Sequence, residues 1–328
     1  SYLILYYITH KIYSELIMSN ILIIKHGSLG DLIQANGAIK DIKNFYKNRK
    51  VFLLTSLPYA IFMSECPYID GVIIDKRLPR WNLFYLNTLK KNLARHNFSK
   101  VFDLQNSKRT NFYKRFIFKK NTEWSSSETS LEPGQKKSDF DEYPVLDRME
   151  LQLKKSNIET QYTKNINLDW AKEDVSRMIK QYSNNEYILL FPFCSKKNKK
   201  KKWPYFKELI FKLKDGYKNY YPILVAPGPN EIKESELLNA KVVTENGGPI
   251  NIKKLISLIS NAKFIVANDT GPAHIASHLD KKGLVLFGSH TSAKKVSIEN
   301  YNFKALSKKN LKDLDLDTVL SEVKSKLN

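Results

Sequence analysis

Ile21-Leu22-Ile23-Ile24-Lys25-His26-Gly27-Ser28-Leu29-Gly30-Asp31 is the stretch from which the rest of the chain can be read. Four consecutive large apolar residues mark a strand buried on both faces, because a strand with one wet face would alternate. The run breaks at Gly27-Ser28-Leu29-Gly30, and Asp31 opens an amphipathic stretch that continues to about Tyr46. Strand, small-residue turn and helix make the first half of a right-handed crossover, which implies a parallel sheet with helices on both faces. Outward from there the pattern repeats, with strands expected at 51–55, 72–75 and 100–104 and helices after Pro58 and over 81–95. Residues 119–143 interrupt it: they are rich in Ser, Lys, Glu and Asp, and read as a mobile surface loop, either a lid or binding loop or a disordered insertion.

After a helix at 144–155 the rhythm resumes with strands at 187–191, 221–226, 241–244, 264–267 and 283–287. Helices are expected between them at 205–214, 231–239, 252–260 and 271–279, and a last one at about 317–327 with Asp317 placed to cap it. A length of 328 residues suits two domains. The polar stretch 181–186 is the best linker, which gives domains of 19–180 and 181–328. Residues 1–18 stand apart. Met18 lies three residues before the first strand and reads as a true start, so the preceding stretch reads as a non-native or disordered extension, from upstream read-through rather than a membrane anchor.

Composition narrows the class. Hydrophobic residues at 42% and charged residues at 27% supply cores and exclude wholesale disorder. Lys and Arg total 54 against 33 Asp and Glu, a formal charge of +21 that invites nucleic acid or an anionic membrane as partner. Only eight of the 54 are Arg, however, and Arg is the residue whose fork grips phosphate twice. Compositional bias toward lysine explains most of the surplus, and no RNA- or DNA-binding signature accompanies it, so nucleic acid is not the expected partner. Cys66 and Cys194 are too few for a disulfide scaffold, which points to a reducing, cytoplasmic setting. His274 and His278 form an H-x-x-x-H pair without the following Glu, so no metal site is expected. No apolar run is long enough to span a membrane.

Four places can carry chemistry. At Lys25–Asp31 a strand enters a helix N-terminus, where free N–H groups attract anions, although neither a P-loop nor a G-x-G-x-x-G pattern is present. The residues alone favour Asp31 as a helix cap; the alternative is a carboxylate that takes a proton. Asn268-Asp269-Thr270-Gly271-Pro272-Ala273-His274 is the most informative stretch. Pro272 suits a first helical turn, Asp269 or Thr270 can cap it, and Gly271 lets a ligand approach. A diphosphate would fit the N–H groups, the Thr270 hydroxyl and the His274 ring, and capping alone does not account for His274. Phe191-Pro192-Phe193-Cys194-Ser195 leads into a lysine run that ends at Trp203-Pro204, and one or two of those lysines over a ligand would neutralise a leaving diphosphate. Ala226-Pro227-Gly228-Pro229-Asn230-Glu231 is a strand end turning into a helix, with Glu231 as a first-turn acid or a carboxylate for ribose hydroxyls.

In order and spacing these motifs, together with Asp103-Leu104-Gln105, Lys201-Lys202-Trp203-Pro204 and Gly247-Gly248, resemble glycosyltransferase family 9, the heptosyltransferases of lipopolysaccharide core assembly. The likeness runs from about Ile21 to Phe287. It implies a GT-B fold, two Rossmann-like doubly wound domains facing across a cleft, with the acceptor on the first and the nucleotide sugar on the second. It implies inverting transfer of a heptose from an ADP-sugar donor to an anionic glycolipid acceptor, without metal or other cofactor, by an enzyme of the cytoplasm visiting the inner face of the inner membrane. By position Asp31 resembles the general base, beside Gly30, Asp103 and Gln105 on the acceptor side. Lys201 or its rival Lys202 resembles the diphosphate lysine. Thr270, Gly271, Pro272 and His274 resemble the phosphate turn, with Ser195 nearby, Asp269 facing the donor sugar and Glu231 the ribose. Departures cluster around the donor: Ser289-His290-Thr291-Ser292 replaces the usual Pro-Thr, and Phe193-Cys194 replaces small residues. The competing expectations are transfer of another sugar, such as a hexose or N-acetylhexosamine, a non-catalytic nucleotide-sugar binder, and a basic nucleic-acid-binding protein.

Overall fold

Strand Asn20–Ile24 (β1) has Ile21, Leu22, Ile23 and Ile24 at zero exposure, as a central strand covered on both faces must. The structure, a computed structural model, describes residues 19–184, 186–216 and 221–327, so the reading of residues 1–18 lies outside the described residues. The chain divides into two compact units, Ser1–Ile166 and Asn167–Asn328.

In the first unit, β1 leads into α1 (Leu29–Phe45), followed by β2 (Val51–Thr55), α2 (Leu57–Ser64), β3 (Gly71–Ile74), α3 (Leu83–Ala94), β4 (Phe98–Asp103), α4 (Lys108–Phe116), β5 (Glu123–Ser125), α5 (Lys137–Asp141) and α6 (Val145–Lys155). All strand pairs are parallel and the order is β3-β2-β1-β4-β5. The chain therefore winds outward in one direction from β1, then in the other from β4. The loops at the carboxyl ends of β1 and β4 lie side by side at that reversal, where such sheets hold ligands.

Residues 119–143 are not a loose loop, contrary to the sequence-based expectation. Glu123-Trp124-Ser125 adds an edge strand on β4, Trp124 packs edge-on against Phe118 at 5.2 Å, and Phe140 is buried. Gln152 of α6 donates to the carbonyls of Asp103 and Ser125 and so ties this segment to the sheet. A three-residue edge strand offers no periodicity to read, which is why the polar composition misled.

One close approach fixes how α1 is covered. A Cβ on Gly37 would lie 2.0 Å from the carbonyl oxygen of Tyr162, so only glycine lets this backbone reach the helix. One turn on, the Asp41 carboxylate accepts the N–H groups of Gln161, Tyr162 and Thr163 and the Thr163 hydroxyl, at 2.7 to 3.1 Å.

The second unit contains α7 (Ser176–Lys180), β6 (Ile188–Phe191), α8 (Phe206–Gly216), β7 (Ile223–Val225), α9 (Ile232–Ser235), β8 (Lys241–Val242), α10 (Ile252–Asn261), β9 (Phe264–Asn268), α11 (Gly271–His278), β10 (Gly283–Phe287), β11 (Phe303–Ser307) and α12 (Leu316–Leu327). Its six strands, again all parallel, run β11-β10-β9-β6-β7-β8. That is the doubly wound dinucleotide-fold order, with the reversal between β6 and β9. Strand β11 was not foreseen. The last helix starts at Leu316, one residue before the expected 317, so Asp315 and not Asp317 accepts the first-turn N–H, from Thr318 at 2.7 Å. Within the expected linker, the Tyr182 hydroxyl donates to the Thr244 carbonyl and Ser183 is buried, so these two residues belong to this unit. The division between units falls earlier, at 166/167.

Candidate active site

In the first unit the turn after β1 is held from several sides. Gly27 has φ +106°, a left-handed conformation that disfavours any Cβ, and a Cβ there would also lie 2.3 Å from the Tyr59 ring of α2. The His26 backbone N–H donates to Gln105 Oε1 at 2.9 Å, so Gln105 works from the loop after β4 to fix the loop after β1. Lys25 is buried and its ammonium donates to the Leu104 carbonyl at 3.0 Å. Burial pushes its pKa down, while the carboxylates of Asp31 and Asp103 push it up.

Asp31 sits in the first turn of α1 and accepts the Ser28 N–H at 2.9 Å and the Ser28 hydroxyl at 3.1 Å through Oδ2. The capping role read from the sequence is therefore present, through Oδ2. Capping does not rule out proton transfer, because a carboxylate has about four lone-pair sites over its two oxygens. Gly30 is buried beside it at the second position of the helix. Asp103 is fully buried: Oδ1 accepts the N–H groups of Gln105 and Asn106 at 3.1 and 2.9 Å, and burial raises its pKa. It shapes the turn after β4 and offers no surface to an acceptor.

Beneath this turn lies a polar network that the sequence did not announce. His26 Nε2 is 2.8 Å from Asp75 Oδ2, and Asp75 also accepts the hydroxyls of Tyr85 and Tyr113 and the Arg77 N–H. Arg109 donates to the Tyr113 hydroxyl at 2.9 Å. Burial alone would raise the Asp75 pKa, but the hydrogen bonds from His26 and the two tyrosines outweigh it and hold the group at about 2. The network joins the ends of β1 and β3 to α3 and α4.

In the second unit the site is built on Asn268 and Asp269 at the end of β9. Asn268, fully buried, accepts the Trp203 N–H at 3.0 Å and donates to the Pro192 carbonyl at 2.8 Å. Trp203 is itself buried, with its indole N–H on the Leu314 carbonyl at 2.7 Å. This anchor fixes the register of the lysines before it. Lys201 turns inward, 2.6 Å from Asp269 Oδ2, while Lys202 turns outward to Glu234.

Asp269 gathers basic side chains. Besides Lys201, His290 Nε2 lies 2.8 Å from Oδ2 and His274 Nε2 lies 3.6 Å from Oδ1. Burial would raise its pKa, but His274 and Lys201 hold it far below the usual carboxylate range. Thr270 is the N-cap residue of α11 with extended backbone, its hydroxyl donating to the Asn268 carbonyl at 3.2 Å. Gly271 and Pro272 follow in the first turn, and Pro272 has no N–H to leave unpaired. His278 is packed away, and burial pushes its pKa down to about 3. Among the described residues no group of three or more His, Cys, Asp and Glu is arranged to hold a metal ion.

Glu231 Oε2 accepts the Gly228 N–H at 2.8 Å, and burial raises its pKa. Ser195 is exposed, next to Cys194, whose thiol donates to the Asn198 carbonyl. His290 is the residue that sequence reasoning undervalued. It stands out in the sequence only as a departure, yet strand order places it: β10 pairs with β9, so the loops after the two strands are neighbours. Its ring stacks on Phe287 with centroids 5.7 Å apart, which aims Nε2 at Asp269.

The family model described as Glycosyltransferase family 9 (heptosyltransferase) matches residues 86–318. That span includes Lys201, Glu231, Asp269 and His274; Asp31 lies before it. The chain is 24% identical over 314 residues to lipopolysaccharide heptosyltransferase 1 of Campylobacter coli, covering 86% of this chain and 87% of that protein. Among solved structures, Escherichia coli heptosyltransferase WaaC with ADP superposes with a TM-score of 0.69 at 18% identity, covering 94% of this chain and 99% of that one. The E. coli ADP-heptose lps heptosyltransferase II gives a TM-score of 0.69 at 17% identity, over 94% and 98%. At such identities the structures share the fold.

Proposed function

This chain belongs to glycosyltransferase family 9, and from that premise we propose that it moves a heptose from ADP-heptose to an anionic lipopolysaccharide core acceptor, with inversion at the anomeric carbon. The observation that carries the proposal is the Asp269 cluster. Lys201, His274 and His290 converge at the N-terminus of α11, where free N–H groups favour an anion. A sugar diphosphate brings negative charge and hydroxyls to the same place, and the cluster offers the Lys201 ammonium and the imidazole rings for the first and the Asp269 carboxylate for the second. As the diphosphate arrives, Lys201 exchanges its partner from Asp269 to phosphate.

In the proposed reaction the acceptor hydroxyl attacks the anomeric carbon from the face opposite the diphosphate. Asp31 takes the hydroxyl proton as the new C–O bond forms and the bond to the leaving phosphate oxygen breaks. Charge then accumulates on the departing ADP, where Lys201 and the α11 N–H groups stabilise it. Ser28 holds the carboxylate in place, and Glu231 receives ribose hydroxyls. No metal enters the step. The acceptor places the enzyme at the inner face of the inner membrane.

A thermal-shift panel tests the donor. ADP and ADP-heptose should raise the melting temperature and UDP-sugars should not; at about 100 times Kd the stabilisation is about 2.7 kcal/mol. Stabilisation by a UDP-sugar and not by ADP would replace the donor with another hexose or N-acetylhexosamine nucleotide. His290 beside the sugar-facing Asp269 is the residue that would then explain the change.

A further inference from the structure

The carboxyl edge of the first sheet carries more than Asp31. After β3 the chain runs Lys76-Arg77-Leu78-Pro79-Arg80-Trp81-Asn82-Leu83-Phe84, and its large apolar side chains face outward. Trp81 is 82% exposed, Leu83 75% and Phe84 83%. On α2, which starts at the same edge, Leu57 and Ile61 stand one turn apart at 66% and 80%. Scattered exposed apolar residues are ordinary, but several gathered at one edge mark a contact surface.

The segment is held, not loose. Arg109 of α4 donates to the carbonyls of Arg77 and Leu78, and the Arg80 guanidinium lies 5.6 Å from the Phe112 ring centre. Asn82 caps α3 by accepting the Tyr85 N–H.

Charge singles out the same region. The first unit holds 26 Lys and Arg against 16 Asp and Glu, the second 28 against 17, so neither unit as a whole stands out. Between Asp75 and Glu123, however, there are 13 basic residues and one acid, the buried Asp103. Outside that segment the first unit has 13 basic against 15 acidic residues, so its whole surplus comes from here. At the carboxyl edge itself the loop after β3 carries Lys76, Arg77 and Arg80, and the start of α4 carries Lys108 and Arg109, while the acids at the ends of the two strands, Asp75 and Asp103, are buried.

We infer that this face docks on an anionic lipid bilayer. Trp81, Leu83 and Phe84 enter the headgroup boundary, and Arg77 and Arg80 beside them meet lipid phosphates. Nucleic acid would use the arginines but gives the exposed Leu57, Ile61 and Leu83 no apolar partner. The strands are parallel, so this surface opens at the same edge as Asp31, and Tyr59 of α2 packs directly on Gly27 of the Asp31 turn. A lipid-linked acceptor would thus arrive where the proposed base stands. The surface itself is argued from its own residues; it rests on the proposed acceptor only for its purpose.

Co-sedimentation of the full chain with vesicles tests it, with no donor or acceptor present, so failure of the ADP-heptose reading leaves the result intact. Phosphatidylglycerol–phosphatidylcholine vesicles should carry the protein down at about 0.15 M salt, and pure phosphatidylcholine should not. W81S/F84S and R77S/R80S should each weaken binding by roughly tenfold or more. W81S/F84S should keep the wild-type circular dichroism and melting temperature, which shows that it folds. In the wild type, brominated lipid should quench the Trp81 contribution to fluorescence. Equal vesicle binding by wild type and W81S/F84S, or absence of quenching, would overturn the inference. So would a dimer without lipid that W81S/F84S dissolves, which would make a second copy the occupant.

Discussion

Lys201 and Lys202 are adjacent in a lysine-rich run, and nothing in the sequence separates them. The separation comes from Trp203, whose buried ring and N–H fix the backbone so that consecutive side chains point apart. Lys201→Ala should raise the KM for donor and lower kcat, by about 10²-fold or more in kcat/KM, as loss of a group that stabilises the leaving charge does. Lys202→Ala removes only an exposed pair with Glu234 and should change kcat/KM by less than about threefold. Steady-state kinetics on the two variants decides the register. Asp75 shows the other limit of sequence reading. It ends a strand like many acids, and only the fold brings His26, Tyr85 and Tyr113 to it from separate elements. Its folded pKa of about 2 lies below the ordinary 3.8, so the stability it contributes is present above about pH 4 and is lost as pH falls through 2. Asp75→Asn should therefore cost stability at pH 7, by about 2 kcal/mol, and flatten the pH dependence of denaturant midpoints between pH 4 and 2.

Elements with a clear period were legible. The strands 51–55 and 283–287 and the helix pattern from Asp31 onward agree with the structure within two residues, because buried apolar runs and amphipathic spacing are set by burial itself. Strand β5 was hidden because its order comes from tertiary contacts with Phe118 and α6, not from local pattern. Strand β11 reads Phe-Lys-Ala-Leu-Ser at the sheet's edge and carries too little apolar character to signal itself. Gly37 makes a sharper point. A glycine inside an exposed helix is a weakness that alanine repairs by about 1 kcal/mol. Here the Tyr162 carbonyl occupies the space, so Gly37→Ala should instead destabilise by about 1–3 kcal/mol, measurable by urea denaturation.

For the whole molecule, two parallel sheets and the family's motif order were readable from the chain, and the dinucleotide-fold order of the second sheet agrees with them. Of the candidate site residues, Asp269, Thr270 and His274 are gathered around one turn and Asp103 is buried, while His290, which the sequence marks only as a departure, lies beside Asp269. The net charge says little as a total, because the surplus is spread over two units; its distribution says more, since 13 basic residues and one buried acid fall between Asp75 and Glu123. A nucleic-acid function would show as salt-steep binding to duplex DNA that persists near 0.15 M. No retained complex is expected there in a gel-shift titration.

Asp31 is proposed to act as base and not only as cap, and one substitution separates the two roles. An asparagine at 31 keeps an oxygen to accept the Ser28 N–H and so preserves the cap, but it cannot take a proton. ADP release from ADP-heptose with a saturating core acceptor should fall by about 10²–10⁴-fold in Asp31→Asn while the melting temperature stays at the wild-type value. Asp31→Ala should lose the same activity and, in addition, about 1 kcal/mol of stability. Wild-type turnover by Asp31→Asn would contradict the claim and leave Asp31 as a helix cap alone.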